Sequence, residues 1–383
     1  RSTFLYDSGT GRFRGFQDSY SRRTTVTLDS GFRLTSLITP ELCTTELRYD
    51  ADDRLTAVIS PAGLRTTMAY TADGLCSQIK MPDGGTYQYN YVDWLNTTVT
   101  APDSSVTQVQ HYVSRQVKSI QGPIGGRSSF TYVARRLMSR IEPSGERVTM
   151  SYVTLPNGAR GLGGSSKADG RSTFVYDTNS RVKATIDASG ARTTFVRNTA
   201  GLVTAQINAA NFRTSFIYNS SGQRTATVDP LGSRSTTVYD SIGNVVAQIN
   251  PLSQRTTFSY VNGQKTAAKS PVGAISTSIY DLNNRVLGQI DPLGARTSFV
   301  YESCTAPVAT IRPDGSRTSS IYSFGRVQAT INPLGRRTSF AYNVSGRRIR
   351  SQSPMGRIST TVYDAASRPV ATISPTGLRS TTV

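Results

Sequence analysis

Apolar and polar positions alternate along this chain in short runs, and the runs recur. Arg171-Ser172-Thr173-Phe174-Val175-Tyr176 is rich in β-branched and aromatic residues, which predicts a short strand with Phe174 and Tyr176 on one face. Arg181-Val182-Lys183-Ala184-Thr185-Ile186 predicts a second strand, with Val182, Ala184 and Ile186 sharing a face. Between such strands stand Asp-x-x-Gly or Asn-x-x-Gly segments, as in Asn219-Ser220-Ser221-Gly222. There the acid or amide side chain bonds the turn backbone, and Gly accepts a positive φ. Asp229-Pro230-Leu231-Gly232 closes a unit, because Pro presets its φ and stops the chain from continuing as a central strand. No stretch sustains a helical period.

The pattern keeps time. With Tyr176 as anchor, the slot recurs from Tyr6 to Tyr363 at 18 positions, 16 of them Tyr, at a mean step of 21 residues. The later anchors are Tyr218, Tyr239, Tyr260, Tyr280, Tyr301, Tyr322, Tyr342 and Tyr363, and Leu28 and Arg197 fill the two exceptional slots. Arg stands five residues before the anchor in 13 slots, Arg171, Arg192, Arg213 and Arg234 among them. Pro recurs nine residues before it, as in Pro230, Pro292 and Pro333. Each unit therefore reads as one β-hairpin. A lone hairpin is marginal in water, whereas stacked hairpins pair both edges and extend one apolar stripe. About 36 strands follow, too many for a flat sheet, because strands twist and wide sheets curl. The expected fold is all-β: about 18 stacked hairpins in one continuous spiralling sheet, a hollow tube or shell. A single array spans 1–383, with an irregular repeat or loop at 153–170, where Gly161-Leu162-Gly163-Gly164 interrupts the pattern.

Tyr-Asp followed by a turn and then Arg, on a period near 21, resembles the YD-repeat (Rhs-repeat) family. Tyr49-Asp50, Tyr176-Asp177, Tyr239-Asp240, Tyr280-Asp281 and Tyr363-Asp364 carry the dipeptide, and the likeness runs along essentially the whole chain. The resemblance implies a spiralling β-sheet that builds hollow shells in secreted toxins and cell-surface proteins, and hence an extracellular or cell-surface location. The chain starts at Arg1-Ser2-Thr3 and stops at the same phase of the repeat, as a fragment of a longer array would. With no cap segment or non-repetitive end in view, the leading expectation is a non-enzymatic scaffold, the wall of a fibre, tube or hollow shell that partners with more of the same array. The alternatives are an encapsulating module of a large secreted Rhs-type toxin and a surface that binds carbohydrate or another polyanion.

Charge bears on the last of these. The net charge is +19, and arginines outnumber lysines 37 to six. Such a bias favours bidentate contacts with carboxylate, sulfate or phosphate. In a stacked array the in-phase arginines lie about 9.5 Å apart, two strand spacings. Each is then exposed, bonded to a neighbouring turn Asp or laid over a Tyr ring; alternatively the column is a track for acidic polysaccharide, with nucleic acid the less favoured partner because the charge is spread evenly.

Catalytic chemistry is sparse. His111 is the only histidine, which leaves no nucleophile–base pair to assemble. Asp52-Asp53 lies in a turn slot. Cys43, Cys76 and Cys304 are odd in number and far apart, and imply neither a disulfide framework nor a metal site. No cofactor is expected, and no apolar run nears the roughly 18 residues that span a bilayer. Asn96, Asn219 and Asn343 head glycosylation sequons, with Asn219 and Asn343 expected in exposed turns. The aromatic run Tyr87 to Trp94 reads as core or a stacking seam, with a sugar platform as the alternative.

Overall fold

The computed structural model describes residues 2–18, 21–302 and 306–381; Arg1 and Cys304 lie outside them. The described chain is all-β, with 37 strands from Thr3–Tyr6 to Arg379–Thr381 assigned to one antiparallel sheet and no helix. Contacts group into two units, one of residues 1–107, 259–268 and 274–383, the other of residues 108–258 and 269–273. The 21-residue pattern runs through both without a break in sequence.

Within each unit a strand pairs with its neighbours in sequence. Val203–Ile207 shows the rule: it lies between Arg192–Arg197 and Arg213–Tyr218, with Ala205 opposite Val196 on one side and Ser215 on the other. Two kinds of turn alternate. After the anchor, Asp177 N donates to Arg181 O at 2.8 Å and Ser180 N to Asp177 O at 3.0 Å, while Ser180 takes φ +62°. This is a turn followed by a left-handed residue, which matches the twist of the flanking strands. The register shifts by one residue beside most such turns, as between Val175 and Tyr176 or Ile217 and Tyr218. These bulges re-aim the anchor relative to the opposite strand.

The core is a column of small residues. Ala57, Ala184, Ala205, Ala247 and Ala329 are fully buried, and Ser119 and Ser139 take the same slot. In three repeats the slot is Gly (Gly15, Gly164 and Gly288), and at two of them the adjacent backbone leaves no room: a Cβ on Gly164 would meet Ser172 O at 2.2 Å, and one on Gly15 would meet Thr24 O at 1.9 Å. The sheet is thin, and small centres let neighbouring strands close over them.

The segment expected as an irregular repeat or loop at 153–170 is a lengthened hairpin. Arg147–Thr154 and Arg160–Lys167 are eight-residue strands paired from Thr154–Arg160 to Thr149–Ser166. The extra residues of this step lengthen a hairpin instead of looping out. Its glycines have packing reasons: a Cβ on Gly163 would meet Val153 Cγ1 at 2.8 Å.

Candidate functional site

Two arginine sets emerge, and they behave differently. The first stands just after the anchor turn. Arg181 Nε reaches Asp177 Oδ2 at 3.0 Å, with the same pair at Arg33–Asp29 (2.7 Å), Arg54–Asp50 (2.8 Å) and Arg285–Asp281 (2.7 Å). The guanidinium then lies over the anchor ring of the next repeat, Arg33 over Tyr49, Arg54 over Tyr70 and Arg285 over Tyr301, at 4.8–5.3 Å from the centroids. Each such arginine ties one turn to the next. The Asp177 carboxyl also accepts the N–H groups of Asn179 and Arg181 at 2.9 Å. The Arg181 backbone N–H does most to hold it below the usual carboxylate range, with the Arg181 side chain adding to that. Gly201 shows the fit between neighbours: at φ +86°, a Cβ there would lie 2.8 Å from Arg181 Nη1.

The anchor hydroxyl explains why the slot is Tyr rather than Phe. Tyr218 Oη donates to Val203 O at 2.8 Å, Tyr176 to Leu162 O at 2.8 Å and Tyr342 to Val327 O at 2.8 Å. Tyr239, Tyr280, Tyr301, Tyr322 and Tyr363 donate in the same way at 3.1–3.5 Å. The acceptor is a carbonyl 14 or 15 residues earlier, near the start of the strand after the preceding anchor turn, so each of these hydroxyls staples its repeat to the one before. Arg197 fills its slot by the same reach, with Nη2 on Val182 O at 3.4 Å and Nη1 on Gly201 O at 3.0 Å. Tyr260 also makes a polar or ring interaction. Tyr218→Phe is expected to lower stability by about 0.5–1.5 kcal/mol, read as a drop in the denaturant midpoint at unchanged slope.

Turns distant in sequence meet inside the first unit. Arg326 Nη1 pairs with Asp83 Oδ2, 243 residues away. Arg347 Nη2 pairs with Asp103 Oδ2 at 3.2 Å. A Cβ on Gly85 would lie 2.5 Å from Val344 O. The acids sit at the tips of Pro-containing turns, Pro82-Asp83 and Pro102-Asp103, where other repeats carry Leu231, Leu252 or Leu293. Those leucines are almost fully exposed, whereas Asp83 and Asp103 keep only 11% and 18% of their side-chain surface. Burial pushes the Asp83 carboxyl upward, but the Arg326 side chain and the Gly85 N–H outweigh it and leave it below the ordinary range.

The second set is the column five residues before the anchor. Arg171, Arg192, Arg213 and Arg234 are exposed, and among the described residues no member of the column has a carboxylate within ion-pair distance. Instead Nε donates to the hydroxyl two residues on, as in Arg192–Thr194, Arg213–Ser215 and Arg234–Thr236 at 3.2–3.3 Å. The turn-Asp and Tyr-ring contacts considered for this column belong to the first set. At about 9.5 Å, each neighbouring pair repels by about 0.4 kcal/mol even at the dielectric of water.

The remaining sequence candidates resolve into structure. Asp53 takes the left-handed slot of its turn at φ +64° and pairs with Arg33 at 2.5 Å, while Asp52 pairs with Arg54 at 2.6 Å. His111 ends a strand opposite Val117. The sequon asparagines are half-buried rather than exposed. Asn219 Oδ1 accepts from Ser221 and Gln223, its Nδ2 donates to Gln223 Oε1 at 2.8 Å, and Asn343 Oδ1 accepts from Ser345 and Arg347. Asn96 Nδ2 donates to Asp93 Oδ2 at 2.8 Å. Tyr87, Tyr89 and Tyr91 are half-buried along one strand, and Trp94 projects from the following turn. The expectation of no disulfide needs correction, since Cys43 is disulfide-bonded while Cys76 is free. Pro230, Pro292 and Pro333 each stand at the second position of a turn closed by the following glycine N–H. The described residues hold no cluster of three or more metal-ligating side chains and no helix long and apolar enough to cross a membrane.

A family comparison decides what this repeat is. Residues 49–86, which include the Tyr49-Asp50 turn and the Tyr70 anchor, match the family model described as RHS Repeat. This segment is an RHS repeat. The same spacing of anchors and turns continues along the chain. No curated protein matches the sequence. Among solved structures, the fold is similar to that of "TcdB2-TccC3-TEV" (TM-score 0.72, 12% identity), covering 97% of this chain and 24% of that one. It is also similar to "TcdB2-TccC3-Cdc42" (TM-score 0.70, 12% identity, 97% and 23%) and to "TcdB2-TccC3 without hypervariable C-terminal region" (TM-score 0.65, 11% identity, 96% and 26%). At these identities the likeness is one of fold. The chain spans about a quarter of the length of those chains.

Proposed function

We propose that this chain is a wall segment of a larger enclosing scaffold, built by stacking RHS hairpins and by joining turns from successive windings of the sheet. The observation that carries this reading is the pair of ion pairs Asp83–Arg326 and Asp103–Arg347. Each joins a Pro-type turn to an anchor-type turn more than eleven repeats later. A fibre built only by adding hairpins end to end has no use for contacts between turn edges, whereas a closed wall must seal them. The fold likeness to chains about four times longer supports a part within a whole, and the resemblance to the RHS repeats of secreted toxins supports a wall that lies outside the cell that makes it. The side chains of the seam are spent on one another, and the chemistry of enclosure is passive: carbonyls stapled, carboxylates capped, rings covered by guanidinium groups.

Electron cryo-microscopy of the full-length native protein tests this. Closed hollow particles whose wall shows strands at about 4.8 Å spacing are expected. Open filaments of indefinite length would replace the proposal with the fibre reading.

A further inference from the structure

We infer that the Cys43 disulfide is a redox-sensitive lock on the turn-to-turn seam, closed on Cys304. The chain has three cysteines, Cys43, Cys76 and Cys304. Cys43 is disulfide-bonded and Cys76 is free, which leaves Cys304 as the partner within one molecule. Cys304 lies outside the described residues, so its place on the seam is taken from the repeat. The inference rests on the wall reading above, because a lock needs a seam to hold.

The repeat puts both cysteines in seam slots. Cys43 ends the Pro-type turn Thr39-Pro40-Glu41-Leu42-Cys43, and Leu64 ends the next one, Ser60-Pro61-Ala62-Gly63-Leu64, 21 residues on. The two turns are built alike. Leu42 N donates to Thr39 O at 2.9 Å and Gly63 N to Ser60 O at 2.8 Å, with φ +60° at Leu42 and +73° at Gly63. On the opposite rim Cys304 stands three residues after the anchor Tyr301, and Gly325 three after Tyr322, again 21 residues apart. Leu64 and Gly325 meet across the seam: a Cβ on Gly325 would lie 3.5 Å from Leu64 Cδ1. One repeat further on, a Cβ on Gly85 would lie 2.5 Å from Val344 O. The residue that ends a Pro-type turn is thus the contact slot of the seam. One step back along both rims from Leu64 and Gly325 stand Cys43 and Cys304. The turn of Cys43 is also covered: Pro40 and Glu41 are half-buried, as Pro82 and Pro102 are at the ion-paired turns, whereas Pro230 and Leu231 are exposed.

Cys76 occupies no such slot. It begins a strand opposite Tyr70, and its thiol points to Gln78 O at 3.6 Å. The seam therefore carries two kinds of fastening. The carboxylates of Asp83 and Asp103 answer to protons, and the Cys43 bond answers to thiols. A dithiol opens it in two steps. One thiolate of the reductant attacks a sulfur of the bond, forming a mixed disulfide and releasing one cysteine thiolate; the second thiol then displaces the other cysteine. Two electrons and two protons pass to the protein, and the reductant leaves as a cyclic disulfide. Oxidising surroundings outside a cell keep such a bond closed, and a reducing compartment opens it.

The test begins with the native full chain, alkylated without reduction and digested for mass spectrometry. A linked 43–304 peptide from the monomeric band is expected, with the alkyl group on Cys76. The folded wild type is then compared by hydrogen exchange with and without dithiothreitol at pH 7. Exchange at residues 39–43, 60–85 and 323–326 is expected to rise about tenfold or more on reduction. Cys76→Ser is expected to respond as the wild type does. Cys43→Ser is expected to exchange fast at these residues without dithiothreitol and to change no further with it. Cys43 alkylated in the oxidised chain, joined to Cys76 or joined only between molecules would overturn the inference. A 43–304 bond whose reduction leaves exchange at the seam unchanged would overturn the lock as well. Hollow particles from a chain with Cys43 free would separate the two readings, removing the lock and leaving the wall.

Discussion

Ala205→Leu is expected to destabilise the protein by about 1–3 kcal/mol through overpacking, and Ala247→Leu by a similar amount. Both alanines are fully buried at strand centres between a branched residue and a Ser or Thr. The thin sheet offers no second layer to absorb three extra carbons. Because each repeat contacts mainly its neighbours, stability is close to a sum of nearest-neighbour terms. Loss of protection in hydrogen exchange should therefore centre on residues 192–228 for Ala205→Leu and fade within one repeat on either side. An unchanged melting profile, or exchange that rises uniformly along the chain, would show that the small column is not what sets the strand spacing. Ser at the equivalent positions 119 and 139 indicates that Ala205→Ser should be far milder.

The second large effect lies at the joined turns. Asp83→Ala with Asp103→Ala is expected to cost about 1–3 kcal/mol per site, since each leaves a largely covered guanidinium without its carboxylate. The Asp103 carboxyl, like that of Asp83, lies below the ordinary range: burial pushes it up, but bonds from Ser105 and the charge of Arg347 outweigh that. A carboxyl held lower in the folded state than in the unfolded chain, where it titrates near 3.9, stabilises the fold above that pH. Its contribution is lost as pH falls through the folded value. The wild type should therefore loosen at these turns only in acid, below about pH 4, whereas the double variant should be loosened already at pH 7 and change less on acidification. Differential exchange of residues 82–105 and 324–347 across pH reads this directly. Wild type and double variant that respond identically to acid would remove these two carboxyls from the linkage.

The period, the two strands per unit and both turn types were legible in the sequence because each depends on residues within one repeat. Asp177 and Arg181 are four residues apart, and a turn brings them together whatever the rest of the chain does. Legibility fell with the reach of the contact. The tyrosine hydroxyl finds a carbonyl 15 residues back, so periodicity showed that Tyr recurs without showing why. Arginines before and after the anchor look alike in composition, yet cross-hairpin register gives the carboxylates and rings to one set and leaves the other bare. The glycines near 161–164 resembled a loop because Gly usually marks one, whereas here they admit a neighbouring strand. Asp83 and Arg326 lie at the far end of this scale: their meeting depends on how many repeats make one winding, which no single repeat encodes.

That meeting is also where the proposed wall is most exposed to test. In the Arg326→Lys variant, zero-length carbodiimide coupling should join the introduced amine to the Asp83 carboxylate, and peptide mass spectrometry of the monomeric band would identify the bond. An intramolecular 83–326 cross-link, absent when Asp83→Asn is added, is the expected result. No such link in a variant that still melts as the wild type does, or a link found only between molecules, would contradict a wall sealed turn to turn and return the array to an open stack of hairpins.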